Sequence, residues 1–84
     1  MLSVLSDEKR RVVGFKQLMK KLQAGQIARV FVAQDAEQSV TRPIEELCLS
    51  QDVPVEKVST MKELGRACRI QVGAAAAGLL RQPQ

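Results

Sequence analysis

The sequence contains no histidine, tryptophan or tyrosine, and Phe15 and Phe31 are its only aromatic residues. Without histidine, the Cys–His and Ser–His pairs that activate a nucleophile are excluded. Two phenylalanines are too few to form the row of exposed rings on which single-strand-binding domains stack successive bases. These absences argue against a triad hydrolase and against a cold-shock or RNA-recognition-motif domain.

Long apolar runs and clusters of metal ligands are missing as well. No apolar stretch approaches the roughly 18 residues of a transmembrane helix, and the N-terminus lacks the basic and apolar regions of a secretion signal. We therefore expect a cytoplasmic protein that does not contact a membrane. Cys48 and Cys68 stand alone, whereas zinc requires about four ligands with paired spacing. We expect no metal or cofactor, and each cysteine falls on the apolar side of a predicted helix, where it acts as a small hydrophobe.

The bulk composition fits one small basic domain. The chain has 84 residues, of which 45% are hydrophobic, and this suffices for a single domain spanning residues 1–84. Thirteen Lys and Arg against nine Asp and Glu give a net charge of +4. This charge is compatible with nucleic-acid binding, but many small soluble proteins are equally basic without binding nucleic acid.

Hydrophobic periodicity predicts helices that alternate with strands. The expected helices are 3–10, which is short and weak, 15–24, a helix capped by Thr41 with Pro43 in its first turn, and a helix that a capping box at 60–63 opens and that ends near Cys68. The expected strands are 11–14, 28–33, 55–58 and 73–80, although consecutive alanines in the last one favour helix. A polar loop spans 34–40, and 81–84 form a frayed tail. This order implies a three-layer α/β/α sandwich with a small four-stranded mixed sheet.

The segment from Gly14 to Gly25 indicates a surface for a polyanion. Gly14 follows a short apolar run and is expected at a strand-to-helix junction, and Gly25 suits the left-handed residue after the helix. Phe15, Leu18, Met19 and Leu22 share one helix face. An uncapped helix start and lysines favour a polyanion, which in a small basic protein is most often nucleic acid. The face opposite these apolar residues carries no acid; its residues are Lys16, Gln17, Lys20 and Lys21. The alternative interpretation is that this is an ordinary solvated helix face.

A second unusual segment links the last predicted helix to the last strand. Ile70 and Val72 lie on this link, flanked by glycines and alanines. They are either plugs of the hydrophobic core or an aliphatic surface against which an unstacked base can rest. Arg66 and Arg69 nearby are suited to contact phosphates.

Three segments together resemble the kink-turn-binding ribosomal protein family of the L-seven-Ae and L-thirty-e type, in particular its bacterial, YbxF-like branch. They are Gly14-x-Lys16-Gln17-x-x-Lys20, then Ala33-x-Asp35-Ala36-Glu37, then Leu64-Gly65-x-Ala67-Cys68-x-Ile70-x-Val72-Gly73-Ala74-Ala75. In that branch a Lys-Gln pair stands where archaeal members have Asn-Glu. The resemblance implies an α/β/α sandwich that binds kink-turns, RNA duplexes bent sharply at a short bulge flanked by sheared G·A pairs.

The resemblance also implies roles for individual residues. The helix start would dock at the G·A pairs through Gly14, Lys16, Gln17 and Lys20. The later loop, Ile70 with Gln71 and Val72, would cover the extruded bases, and Glu37 would touch a flipped base. Arg69 departs from the family, which commonly has glycine there, and a positive φ would strain it by about 1 kcal/mol.

We therefore expect a monomeric, non-catalytic protein that binds kink-turn RNA, either ribosomal RNA or a riboswitch. The alternative is a protein-interaction module of the same fold. An enzyme is not expected, because the sequence has neither a phosphate loop nor a dinucleotide fingerprint. Asp35 and Glu37 are expected to be solvated loop carboxylates. The predicted RNA-binding set comprises Gly14, Lys16, Gln17, Lys20, Lys21, Glu37, Arg66, Ile70, Gln71 and Val72.

Overall fold

Helices and strands alternate along the chain in a computed structural model that describes residues 2–81. This confirms the predicted alternation. The elements are a 3-10 helix at Leu2–Ser6, β1 at Arg11–Val13, α1 at Phe15–Gln23, β2 at Ile27–Ala33, α2 at Gln38–Ser50, β3 at Val55–Val58, α3 at Met61–Ala67 and β4 at Ala76–Leu80.

The strands form a mixed sheet in the order β1-β4-β2-β3. β4 pairs antiparallel with both β1 and β2, and β3 pairs parallel with β2. β1, β2 and β3 therefore run in the same direction and end at one end of the sheet, where β4 begins. The central position of β2 accounts for its nearly unbroken apolar sequence.

Small residues in β4 allow α1 to pack closely on the sheet. A Cβ atom at Gly78 would lie 2.5 Å from Cδ1 of Leu18. The alanine-rich segment is therefore a strand, as the alternation predicted and in spite of its helix propensity, because it supplies the flat surface beneath a helix.

Each face of the sheet carries its own hydrophobic core, and this confirms the three layers. α1 and α2 cover one face, and α3 covers the other together with the 3-10 helix. The first core centres on Leu18, Leu22, Val30, Ile44 and Cys48, and the second on Leu5, Phe31, Leu64, Cys68 and Ala77.

Both cysteines are free and completely buried, as expected of small hydrophobes. Burial, with a smaller effect of the nearby Glu45 carboxylate, raises the pKa of the Cys48 thiol to about 11. Burial also raises the pKa of Cys68, although the guanidinium of Arg11 opposes this shift. Both thiols are therefore neutral at physiological pH.

All three α-helices end in the same hydrogen-bonded turn, the Schellman motif. The residue after the C-cap has a left-handed conformation in each helix: Gly25 with φ 72°, Asp52 with φ 57° and Arg69 with φ 60°. At the end of α3, the N–H of Ile70 donates to the Gly65 carbonyl at 3.1 Å. The prediction for Gly25 is confirmed, and Arg69 has the positive φ that glycine would adopt without strain.

The predicted start of α2 is wrong by one turn. The helix begins at Gln38, because the Glu37 carbonyl already accepts the N–H groups of Val40 and Thr41 at 3.0 and 3.2 Å. Thr41 is only 6% exposed and lies on the inward face of the helix, where it caps nothing. Pro43 consequently lies inside the helix, not in its first turn.

The predicted N-terminal helix is also too long. The 3-10 helix ends at Ser6, and a turn follows because the Asp7 carboxylate accepts the N–H of Lys9 at 3.0 Å. The last strand begins at Ala76, three residues later than predicted, because the preceding segment bonds to other partners.

Arg81 is not part of a frayed tail, contrary to the prediction. Its N–H donates to the Gln26 carbonyl at 2.8 Å, and its Nε donates to the Gly25 carbonyl at 3.1 Å. These bonds attach the end of β4 to the turn before β2. The rest of the predicted tail, 82–84, lies outside the described residues.

Candidate nucleic-acid interface

The segments singled out in the sequence meet at the end of the sheet where β1, β2 and β3 finish. The N–H of Gly14 donates to the Ala76 carbonyl at 3.4 Å, and the N–H of Ala33 donates to the Ala75 carbonyl at 2.9 Å. Ligand sites of α/β sheets commonly lie beyond the carboxyl ends of the strands. We call residues 14–17, 35–37 and 70–73 together the strand-end surface.

Gly14 shapes the part of this surface at which α1 begins. Its φ of 101° and ψ of 150° belong to a region that is essentially restricted to glycine. As the N-cap residue it brings no side chain that could accept a hydrogen bond from the first turn of α1. The first-turn N–H groups therefore remain open at the positive end of the helix dipole. The predicted strand-to-helix junction is confirmed.

The exposed face of α1 carries most, but not all, of the predicted cationic set. Lys16 and Gln17 lie in the first turn and are exposed, and Lys20 is exposed one turn further along, about 6 Å down the axis. Lys21 is half-buried and lies about 100° around the helix from Lys20. The structure thus brings Lys16 and Gln17 to the strand-end surface, with Lys20 beside it and Lys21 away from it.

Phe15 shares a helix face with Leu18 and Leu22 but is not buried with them. Leu18 and Leu22 are fully buried, but Phe15 is 41% exposed. It is the first helical residue after Gly14, which follows the end of β1. An aromatic ring is therefore accessible beside Lys16.

The Asp35 carboxylate holds the start of α3 in place. Its Oδ1 accepts the N–H of Met61 at 2.7 Å, and the Oγ1 of Thr60 accepts the N–H of Glu63 at 3.0 Å. The Thr60 cap was predicted, whereas the expectation that Asp35 is merely solvated is wrong. The carboxylate instead joins the loop after β2 to α3.

Glu37 lies in the same loop as Asp35 and is exposed. It is the N-cap residue of α2, and its carboxylate accepts a long 3.5 Å hydrogen bond from Ser39 Oγ. Glu37 is therefore an exposed residue of the strand-end surface.

The link from 70 to 73 lies directly on α3 because Gly65 has no side chain. A Cβ atom at Gly65 would collide with the Val72 carbonyl oxygen and would lie 3.1 Å from the Cα of Gly73. The N–H of Ala74 also donates to the Met61 carbonyl at 3.0 Å. The backbone of this link is therefore packed directly against α3 and fixed in position relative to the helix.

The two interpretations of the apolar residues on this link apply to different residues. Ile70 is half-buried and packs against the core beneath α3, so it acts partly as a plug. Val72 is 70% exposed, and Gln71 beside it is exposed as well. Val72 is therefore the residue of the link whose apolar surface is exposed to solvent.

A depression of about 330 Å³ adjoins Val72 and contains the predicted residue Arg66. Arg66 is exposed in the last turn of α3. The depression also includes Lys62, which was not predicted as a functional residue although its spacing of i, i+4 from Arg66 places both on one helix face. Its lining residues are Lys62, Arg66, Arg69, Ile70, Gln71, Val72 and Gly73.

A larger hollow of about 470 Å³ lies between α2 and the edge of the sheet. It is lined by Arg42 and Lys57 but also by Glu45 and Glu46. These carboxylates would repel a polyanion, so the hollow is a poorer candidate than the strand-end surface. Within residues 2–81 no group of three or more acidic, Cys or His residues could hold a metal ion, and no helix is long and apolar enough to cross a membrane.

Comparison with known proteins agrees with the resemblance in the sequence. An RNA-binding protein of Geobacillus sp. strain WCH70 is 46% identical over 72 residues, which are 86% of this chain and 88% of that protein. The RNA-binding protein YbxF of Geobacillus stearothermophilus is 44% identical over 70 residues, which are 83% of this chain and 85% of YbxF.

Solved structures share the fold. The 15.5kD RNA binding protein of Giardia lamblia superposes with a TM-score of 0.88 at 21% identity, covering 96% of this chain and 71% of that one. The sequence model of the ribosomal protein L7Ae/L30e/S12e/Gadd45 family matches residues 1–83 of this chain. The chain therefore belongs to the ribosomal protein L7Ae/L30e/S12e/Gadd45 family and is a YbxF-like member of it.

Proposed function

We propose that this protein binds RNA and that it recognises and stabilises kink-turns without catalysing a reaction. The observation that carries the proposal is the meeting of an uncapped, lysine-rich helix start with an exposed aliphatic residue. Gly14 and Lys16 supply the first, Val72 supplies the second, and both lie at the same end of the sheet. Family membership and the names of the relatives support RNA as the ligand.

Positive charge is what a sharply bent duplex requires, because bending brings two phosphate-lined helices close together. Lys16 and Lys20 are exposed on one face of α1, and the open N–H groups of its first turn add the positive end of the helix dipole. These groups neutralise phosphates and position the RNA. The protein selects the bent form from an existing equilibrium and thereby shifts the population towards it.

The remaining residues of the strand-end surface contact bases. Val72 offers an apolar surface to an unstacked base, supported from below by the half-buried Ile70. Gln17 and Gln71 both donate and accept hydrogen bonds, and the Glu37 carboxylate accepts them from a flipped base. Recognition therefore combines RNA shape with a few base contacts. The proposal takes the protein to act as a monomer in the cytoplasm, on ribosomal RNA or on a riboswitch.

Gel-shift titration tests this proposal with a kink-turn duplex and a control duplex whose G·A pairs are replaced by Watson–Crick pairs. The two duplexes carry equal charge, so a large preference for the first requires recognition of shape. Lys20→Ala should weaken binding and reduce the salt slope by about 0.9, the value for one phosphate contact. Val72→Asp should weaken binding further, because it takes apolar surface away from the unstacked base and places a negative charge near the phosphates.

Lys9→Ala is the matched control for the lysine variants. Lys9 is exposed and lies just before β1, at the opposite end of the sheet from Gly14. Its replacement removes the same charge without touching the strand-end surface, so the affinity should stay close to that of the wild type. Equal losses for Lys9→Ala and Lys20→Ala would show that only net charge matters and would refute the docking surface.

A protein-interaction module is the second candidate function. Leu49 on α2 is 80% exposed, and a partner protein would bury this apolar surface. Under this function the kinked and the straight duplex would bind equally weakly, and Leu49→Ser would abolish association with a partner while leaving RNA affinity unchanged.

A further inference from the structure

The depression beside Val72 collects three cations and no acid. Lys62 and Arg66 project from one face of α3, and Arg69 follows at the end of the helix. All three are exposed, and none of them forms an ion pair within residues 2–81. By contrast, Arg29 is neutralised by Glu56 at 3.2 Å. The depression is therefore a local concentration of uncompensated positive charge.

Arg69 occupies its position in spite of an unfavourable backbone conformation. The same position of the Schellman motif is Gly25 at the end of α1 and Asp52 at the end of α2. Glycine adopts a positive φ freely, and aspartate tolerates it because its short polar side chain can hydrogen-bond locally. In arginine the Cβ atom crowds the following carbonyl oxygen without that compensation, so the conformation is strained. The positive φ turns the Arg69 residue out of the helix and puts it at the edge of the depression. Strain at an exposed position is typical of functional sites.

We propose that Lys62, Arg66 and Arg69 form a phosphate-binding site for the RNA backbone, in which Arg69 is the principal ligand. The inference rests on the proposed function. The site adjoins Val72, so it receives phosphates of the strand that carries the unstacked base. The guanidinium of Arg69 presents a planar fork of donors that matches two phosphate oxygens, and Lys62 adds a point charge. This contact extends the interface beyond α1 to a second positively charged element.

Arg69→Gly tests the site because it should change stability and binding in opposite directions. Glycine relieves the strained φ, so the melting temperature should rise by about 4 °C or more. Loss of the guanidinium should weaken binding to the kink-turn duplex about tenfold, as expected for one charge-assisted contact, and reduce the salt slope by about 0.9. A variant that only misfolds cannot produce this combination.

Two further variants complete the experiment. Arg69→Lys keeps the charge but loses the planar fork, so its affinity should fall between those of the wild type and Arg69→Gly. Lys62→Ala should lower the salt slope as Arg69→Gly does, whereas Lys9→Ala at the opposite end of the sheet should not.

The outcomes separate this inference from the proposed function. If the wild type prefers the kink-turn duplex but Arg69→Gly binds it equally tightly with the same salt slope, the phosphate site is refuted and the proposed function stands. If the wild type shows no preference for the kink-turn duplex, both are refuted.

Discussion

Gly65→Ala tests whether the fit of the 70–73 link on α3 governs both stability and RNA binding. The added Cβ would collide with the Val72 carbonyl oxygen and crowd the carbonyl carbon of Val72 and the Cα of Gly73, both at 3.1 Å. All three are backbone atoms, which cannot move aside as the end of a flexible side chain does. The link must therefore lift away from the helix, and the hydrogen bond from Ile70 to the Gly65 carbonyl must stretch.

The expected magnitude follows from two opposing contributions. Alanine is a better helix former than glycine by about 1 kcal/mol. Overpacking against a rigid neighbour costs roughly 3 kcal/mol at the upper end of its usual range. The free energy of unfolding should fall by roughly 2 kcal/mol, which corresponds to about 10 °C in melting temperature. Because Val72 moves with the link, its burial against a base is lost and the affinity for a kink-turn duplex should fall about tenfold or more.

Gly25→Ala is the matched control, measured by thermal unfolding and gel shift together with Gly65→Ala. A Cβ at Gly25 meets no atom within 4 Å, but the φ of 72° strains it, so stability should fall by about 1 kcal/mol. Gly25 lies at the far end of α1 from the strand-end surface, so RNA affinity should not change. A Gly65→Ala protein that is more stable than the wild type and binds RNA equally well would refute the packing described here.

Three further predictions concern stability. Asp35→Ala removes the acceptor of the Met61 N–H and should cost about 1 kcal/mol in urea denaturation, whereas Asp35→Asn keeps an acceptor and should cost less; equal midpoints for all three proteins would contradict this. Gly14→Ala should cost about 1 to 3 kcal/mol although the surrounding space is open, and an unchanged midpoint would show that its φ of 101° carries no strain. Folding raises the pKa of the Cys48 thiol from its ordinary value of 9.0 to about 11, because burial disfavours the thiolate. The resulting contribution to stability, roughly 2 to 3 kcal/mol, is fully present below pH 9.0 and is lost as the pH rises to about 11. The free energy of unfolding of Cys48→Ala should fall less over this pH range than that of the wild type. An equal fall in both proteins would contradict the pKa shift.

The sequence predicted the elements whose identity depends on local apolar pattern. α1 and β2 were predicted almost to the residue, because burial of one face or both faces leaves a periodic trace. β4 was predicted from the alternation of elements against its own helix propensity. Gly14 and Gly25 were predicted because a turn at these positions needs a conformation that glycine adopts without strain.

The predictions that failed concern features fixed by tertiary contacts. α2 begins at Gln38 because packing on the sheet turns Thr41 inward, and a Thr followed by a Pro looks like a cap when the sheet is not considered. The exposure of Phe15 could not be predicted either, because a helical pattern does not reveal how far each residue of an apolar face is buried. The clamp from Asp35 to Met61 joins residues 26 positions apart.

The most direct test of the central claim is a fluorescence energy transfer measurement on a kink-turn duplex labelled at both ends. It is made without divalent cations, so that the free RNA is extended, and with the G·A-disrupted duplex as control. Added protein should raise the transfer efficiency of the kink-turn duplex to a saturable plateau and leave that of the control unchanged. Equal responses of the two duplexes, or none from either, would contradict the account.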